Sequence, residues 1–71
     1  MKVWVLTREV NDYNQYGEYL EACFKEKPAI EQLSTITGLT KTYWERNPIG
    51  GREGDESVWY NLHEVKYGEE F

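Results

Sequence analysis

The chain has 71 residues and carries 13 Asp and Glu against 8 Lys and Arg, which gives a formal net charge of −5. This length allows one domain, residues 1–71, and the acidic balance argues against binding to nucleic-acid phosphate or to anionic membranes. The single cysteine, Cys23, rules out an intramolecular disulfide. Because so small a core is barely sufficient alone, we expect support from a second chain and therefore a homo-oligomer.

The N-terminal sequence MKVWVLTREV contains only four consecutive apolar residues. A secretory signal has about 7–15 apolar residues, and a membrane span has about 20. We therefore expect a cytoplasmic protein without membrane contact.

Two strands are predicted in the first third of the chain. Residues 2–7, KVWVLT, form a β-rich run that is apolar on both faces, which is typical of a strand with neighbours on both sides. Residues 8–16, REVNDYNQY, are polar and contain turn-forming Asn and Asp, so they predict a long hairpin loop. Gly17 then opens a second strand with an alternating pattern. Its apolar face holds Leu20, Ala22 and Phe24, and its other face holds Tyr19, Glu21 and Cys23.

One helix is predicted after the second strand. Pro28 suits the first helical position, where its missing N–H is not needed, and Gly38 suits the position just past the end. The apolar residues between them recur at helical spacing: Ala29, Ile30, Leu33 and Ile36. This stripe is expected to pack on the apolar face of the second strand.

The second half of the chain predicts two more strands joined by a loop. Residues 40–46, TKTYWER, are rich in Thr, Tyr and Trp, which favour strands. Residues 47–56, NPIGGREGDE, hold three of the six glycines and indicate a flexible loop. Residues 57–67 alternate as a strand, and residues 68–71 are expected to be a frayed tail. The predicted fold is α+β, a ββαββ domain with a mostly antiparallel four-stranded sheet and one helix on one face.

A single short helix leaves the second face of such a sheet uncovered. Strand alternation assigns to this face a set of aromatic and polar side chains, which we expect to be an interaction surface. They are Tyr19, Glu21, Trp59, Asn61 and His63, with Cys23 beside them. Trp and Tyr are enriched among the residues that dominate binding energy at interfaces.

The second predicted hairpin is the most basic part of the acidic chain. Its basic residues are Lys41, Arg46 and Arg52. They form a second candidate contact surface.

The motifs in the chain predict neither a catalytic site nor a metal site. The sequence DYNQYGEYLEAC matches a calcium loop at Asp12, Asn14 and Gly17, but its twelfth position is Cys23, so the bidentate carboxylate is missing. The glycines around Arg52 lack the Gly-Lys-Ser/Thr ending of a phosphate loop. One His and one Cys, with nothing to position an oxyanion site, do not predict nucleophilic catalysis. We therefore expect a protein that is not an enzyme and uses no cofactor.

The segments KVWVLTREVNDY and GEYLEACFKEKPAIEQL resemble the start of small uncharacterised proteins of bacteriophages and bacteria. Those proteins also begin with a KVYVLT-like strand, a polar loop, a GEY-type strand, a KP turn and a helix. The resemblance covers about the first half of the chain and implies a small bacterial or phage protein, in the host cytoplasm if a phage encodes it. It transfers neither an activity nor functional residues.

The sequence as a whole predicts a small acidic protein-binding module, which binds either itself or a host protein. If the resemblance holds, it would be a phage accessory protein that inhibits or modulates a host protein. The alternatives are a structural homodimer, or small-ligand or nucleic-acid binding through the open sheet face. Nucleic-acid binding is disfavoured because the net charge is negative and the RNP-type Arg/Lys-Gly-Phe run is absent from the sequence.

Overall fold

The computed structural model describes residues 2–12 and 15–66. They form three strands and two helices along the chain: β1 Lys2–Asp12, β2 Gln15–Phe24, α1 Ile30–Thr37, α2 Lys41–Arg46 and β3 Val58–Lys66. The sheet is antiparallel with strand order β2-β1-β3, so β1 is the central strand. The domain is α+β, but the predicted four-stranded sheet with one helix is wrong. The predicted tail at 68–71 lies outside the described residues.

The predicted polar loop at 8–16 is largely strand. The pairing of β1 with β2 continues as far as Asp12 opposite Gln15, and the N–H of Asn11 donates to the carbonyl of Ser57 at 2.7 Å. The polar side chains of this stretch bond to one another across the sheet, as described below. The polar residues of this segment therefore belong to strands with a solvent-exposed face, and their polarity does not indicate a loop.

A β-bulge at Glu21 divides β2 into two parts that face opposite ways. Leu6 pairs with Ala22 but Thr7 pairs with Leu20, so Glu21 is an extra residue on β2. Because side chains alternate with a period of two, an extra residue reverses the facing of everything beyond it. As a result Ala22 reaches the core, whereas Leu20 is 67 % exposed. The predicted apolar face that included Leu20 is wrong.

Helix α1 begins two residues later than predicted and ends where predicted. Its N-cap is Ala29, so Pro28 precedes the helix and is not its first residue. No side chain caps this end of the helix. Gly38 closes the helix with φ of 76°, and its N–H donates to the carbonyl of Ser34 at 2.9 Å. Within the apolar stripe Leu33 is buried, whereas Ile36 is 41 % exposed.

Helix α2 replaces the strand predicted at 40–46. Thr40 caps it, because its side-chain oxygen accepts a hydrogen bond from the N–H of Tyr43 at 3.1 Å. Arg46 lies in the last turn, where a cation is favoured by the helix dipole. The local β preference of Thr, Tyr and Trp is overridden by capping and packing.

Burial of two consecutive aromatic residues explains why this segment is a helix. Tyr43 and Trp44 are both buried and their rings meet edge to face, with centroids 5.2 Å apart. In a strand these neighbours would point to opposite faces, and only one could reach the core. The indole N–H of Trp44 donates to Thr37 at 3.2 Å, which ties α2 to the end of α1.

Both helices pack on the same face of the sheet. The buried core lies between them and that face, and comprises Leu6, Leu33, Tyr43, Trp44 and Leu62. The molecule measures 39 × 29 × 17 Å, and its smallest dimension corresponds to one sheet and one helix layer.

The loop predicted to be flexible at 47–56 is attached to the outer edge of β3. The N–H of Gly51 donates to the carbonyl of Tyr60 at 2.8 Å, and the N–H of Leu62 donates to the carbonyl of Ile49 at 2.9 Å. Gly50 between them has φ of 79° and pairs with Asn61 as an isolated bridge. A Cβ at Gly50 would collide with the carbonyl oxygen of Tyr60, so only glycine fits.

Leu33→Ala should leave the protein largely unfolded. Large-to-small core substitutions cost about 2–5 kcal/mol, and a domain of this size has roughly 3–5 kcal/mol in total. The matched control is Ile36→Ala on the same helix, where the exposed side chain contributes less. Thermal melts followed by circular dichroism should separate the two variants, and equal melts would contradict the helix register.

Gly50→Ala should destabilise the fold more than Gly38→Ala. The two glycines have nearly the same φ, 79° and 76°, so both variants incur the left-handed strain of about 1–2 kcal/mol. A Cβ at Gly38 meets nothing within 4 Å, whereas one at Gly50 meets the β3 backbone. Urea unfolding measures the difference, and equal losses would show that the loop does not pack on β3 as described.

Candidate interaction surface

The sheet face turned away from the helices is the candidate site, and we term it the open face. The register of the three strands assigns to it one alternate set of residues on each strand. These are Val3, Val5, Thr7 and Glu9 on β1, Tyr16, Glu18, Leu20 and Cys23 on β2, and Trp59, Asn61, His63 and Val65 on β3. Neither helix of the described residues packs on it.

Glu9 is the hydrogen-bonding centre of the open face. One of its carboxylate oxygens accepts from the indole N–H of Trp59 at 3.1 Å and from the amide of Asn61 at 2.8 Å. The other oxygen accepts from the hydroxyl of Tyr16. Glu9 therefore connects all three strands and holds the indole of Trp59 in one orientation.

These donors determine the protonation of Glu9. The hydrogen bond from Tyr16, and then those from Asn61 and Trp59, hold the pKa of Glu9 below its ordinary value against the opposing effect of desolvation. The same bond to Glu9 raises the pKa of Tyr16. The carboxylate is therefore ionised at neutral pH and gives the open face a fixed negative charge.

A second polar group lies next to Glu9 on the open face. The hydroxyl of Thr7 donates to Glu18 at 2.7 Å, and the Nε2 atom of His63 lies 3.2 Å from that hydroxyl and 3.4 Å from the same carboxylate oxygen. A catalytic triad needs the hydroxyl and the carboxylate on opposite ring nitrogens. Here both approach the same nitrogen of His63, so the group does not have triad geometry.

The structure brings together three of the five residues predicted for the interaction face. Trp59, Asn61 and His63 share the open face. Tyr19 and Glu21 lie on the other side of the sheet with Arg8, whose guanidinium carbon is 5.5 Å from the centre of the Tyr19 ring and whose Nε is 3.2 Å from Glu21. The bulge at Glu21 is the physical reason, because it reverses the facing of the residues before it.

The three predicted basic residues do not form a hairpin. Lys41 and Arg46 lie on α2, and Arg52 lies in the loop that follows it. The guanidinium of Arg46 donates twice to Glu53, at 3.1 and 2.9 Å, and this pair raises the pKa of Arg46 and lowers that of Glu53. The charge of Arg46 is therefore neutralised by Glu53 of the loop. The predicted basic hairpin is wrong.

Arg52 instead extends to the open face. Its guanidinium carbon lies 5.1 Å from the centre of the Trp59 ring, within the range of a cation–π contact. Trp59 is consequently half-buried and covered in part by a residue of the loop. The loop thus contributes a cation to a surface that is otherwise acidic.

Two residues of the open face, Glu9 and Tyr16, were missed because they were assigned to a loop, whereas Thr7 and Glu18 were placed in predicted strands but not assigned to this face. Thr7 and Glu9 alternate with Arg8 and Val10. This alternation was a signal by which the prediction of β1 could have been continued through these residues. Tyr16 and Glu18 follow the same pattern on β2. The signal was present, but turn-forming residues at 11–14 outweighed it.

A separate cleft of about 220 Å³ opens on the helix side of the molecule. Its walls are mainly apolar and comprise Lys27, Pro28, Ile30, Leu33, Trp44, Glu45 and Pro48.

Within residues 2–12 and 15–66, no group of three or more His, Cys, Asp and Glu side chains could hold a metal ion. Cys23 is exposed on the open face.

Comparison of the chain with family models, curated proteins and solved structures gives no match. The resemblance of its first half to phage and bacterial proteins therefore stays a prediction. Neither described helix is long and apolar enough to cross a membrane.

Tyr16→Phe should raise the pKa of Glu9 towards its ordinary value, because it removes the donor that lowers this pKa most. Tyr19→Phe is the control, since Tyr19 lies on the other side of the sheet. Carboxyl titration by NMR measures both. An unchanged Glu9 pKa in Tyr16→Phe would show that this bond does not form.

The lowered pKa of Glu9 also predicts the direction of a pH effect on stability. A carboxyl whose pKa falls on folding stabilises the fold above its unfolded pKa, and this stabilisation is lost as the pH falls through the folded pKa. The free energy of unfolding should therefore fall less on acidification in Glu9→Gln than in the wild type.

Proposed function

We propose that the protein is a non-catalytic binding module that contacts another protein through the open face. The observation that carries the proposal is that both helices pack on one face of the sheet, while the other face exposes large side chains. Tyr16 and Leu20 are each 67 % exposed and Val65 is 40 % exposed. With Trp59 among them, these residues supply the aromatic and apolar contacts that dominate protein interfaces.

The polar residues of the open face also favour recognition over chemistry. Glu9, Asn61 and Trp59 hold one another in place, so their orientation is set before a partner arrives, which lowers the entropy cost of binding. His63 and Thr7 lack an oriented triad partner. A rigid polar surface without a triad fits a contact site better than an active site.

The charge of the open face favours a different protein over a second copy of the chain. In a twofold dimer the same patch meets itself. A contact centred on Glu9 and Glu18 would then bring like charges together, which is unfavourable. The structural homodimer is therefore the second candidate, supported by the exposed Leu20 and Val65 and by the small core.

Site-specific photo-crosslinking tests the proposal in the native host. The photoreactive residue p-benzoylphenylalanine would replace Leu20 on the open face or, as the control, Ile36 on the helix side, both of which are exposed. We expect one discrete adduct with another protein from position 20 and none from position 36. A product twice the mass of the chain would indicate the homodimer, and equal crosslinking at both positions would refute use of the open face.

Trp59→Ala should weaken the association that crosslinking identifies by about 30-fold, since losing a hot-spot aromatic costs at least ~2 kcal/mol. The matched control is Tyr19→Ala, an aromatic truncation on the opposite side of the sheet, which should leave the affinity unchanged. Isothermal calorimetry of both variants, with circular dichroism to check folding, makes the comparison. Equal affinities in the two folded variants would contradict the assignment of the open face.

A further inference from the structure

The open face combines an aromatic ring with two carboxylates. Glu9 and Glu18 lie opposite each other on neighbouring strands, and the indole of Trp59 is bonded to Glu9 at 3.1 Å. An aromatic ring beside carboxylates is a suitable environment for a planar cation, because the ring face attracts positive charge and carboxylates accept from a guanidinium. The loop already places such a cation at this ring, since the guanidinium carbon of Arg52 lies 5.1 Å from the ring centre.

We propose that Trp59, Glu9 and Glu18 form a binding site for an arginine side chain of a basic partner segment, and that Arg52 covers the Trp59 ring until the partner arginine displaces it. The inference rests on the proposed function and specifies the chemistry of the partner.

The site is held in shape before a ligand enters. Asn61 donates to the Glu9 oxygen that also accepts from Trp59, and Tyr16 donates to the other oxygen, so the carboxylate and the indole are both fixed. At Glu18, one carboxylate oxygen accepts from the hydroxyl of Thr7 at 2.7 Å and lies 3.4 Å from Nε2 of His63. Among the described residues the second oxygen has no hydrogen-bond donor, and it is available to a guanidinium.

Arg52 is suited to be displaced. Its side chain is exposed, and its backbone follows Gly51, which the bond to Tyr60 keeps on the edge of β3. Only the side chain has to move to uncover the ring. A cation–π contact at an exposed site is weak enough that losing it changes an affinity by about two- to fivefold.

Arginine is favoured over lysine by geometry, and a basic partner is favoured by charge. A guanidinium is planar, stacks on an indole and offers several donors at once, whereas an ammonium is a compact and strongly hydrated point charge. The chain carries a net charge of −5, which attracts a basic segment over a distance set by the salt concentration.

The first experiment uses the whole chain and three peptides of one length. They are acetyl-Gly-Arg-Gly-Arg-Gly-amide, its lysine analogue and its citrulline analogue, which keeps the shape of arginine without the charge. The readout is the indole N–H signal of each tryptophan by NMR, with the buried Trp44 as internal control. We expect the arginine peptide to shift the Trp59 signal saturably, the lysine peptide to bind more weakly, and the citrulline peptide to leave it in place.

Two charge-matched variants test the displacement of Arg52. Arg52→Ala should bind the arginine peptide about two- to fivefold more tightly than Lys41→Ala. Both lose one positive charge, but only the first uncovers the Trp59 ring. Glu18→Gln should weaken binding, and rising salt should weaken it in every variant.

Equal affinity of Arg52→Ala and Lys41→Ala, or equal binding of the citrulline peptide, would overturn the inference. A Trp59 shift caused by a five-nucleotide RNA and not by the arginine peptide would overturn it in favour of nucleic acid. If crosslinking from position 20 succeeds while the arginine peptide fails, the proposed function stands and only the partner chemistry is wrong. If the peptide binds as expected while position 20 yields no adduct, the arginine site stands and the proposed function fails.

Discussion

The packing of Trp44 and Leu33 against Leu6 and Leu62 is the interaction on which the structure depends. These residues are at most 3 % exposed and connect both helices to the central strand and to β3. Residues 2–12 and 15–66 contain two short helices, and because both pack on one face of the sheet, neither covers the other face. The open face is thus a consequence of where the core lies, and it combines polar side chains with the exposed Tyr16, Leu20 and Val65.

The bulge at Glu21 determines which residues of β2 reach each side. Beyond it, Tyr19 joins Arg8 on the helix side, and Glu18 and Leu20 join Glu9 and Thr7 on the open face. One extra residue therefore moves a carboxylate next to Glu9 and an apolar side chain next to Thr7. Bulges also disturb the regular hydrogen-bonding edge of a strand, which protects an edge strand such as β2 from pairing with other chains.

Hydrogen bonds from neutral donors are the main cause of the stabilised negative charge of Glu9 on the open face. Glu9 keeps its negative charge because neutral donors from Tyr16, Asn61 and Trp59 stabilise the carboxylate. On the loop, by contrast, Glu53 is neutralised by Arg46 and serves to hold the chain in place. The carboxylate of Glu9 therefore remains available to attract a cation of a partner, whereas that of Glu53 is paired with Arg46 within the protein.

The sequence by itself determined the α+β class, the strands near Lys2 and Val58, the end of α1 at Gly38 and the shared face of Trp59, Asn61 and His63. Each of these follows from residues close together in the sequence. Alternation of side chains predicts a strand and its faces, and a glycine, which readily adopts positive φ, predicts the end of a helix. Only the tertiary structure decided that Lys41–Arg46 is a helix, since the burial of both Tyr43 and Trp44 requires a core that the segment does not contain. It also decided the facing of Tyr19, Glu21 and Leu20, because a bulge arises from the register between two strands and neither strand encodes that register alone.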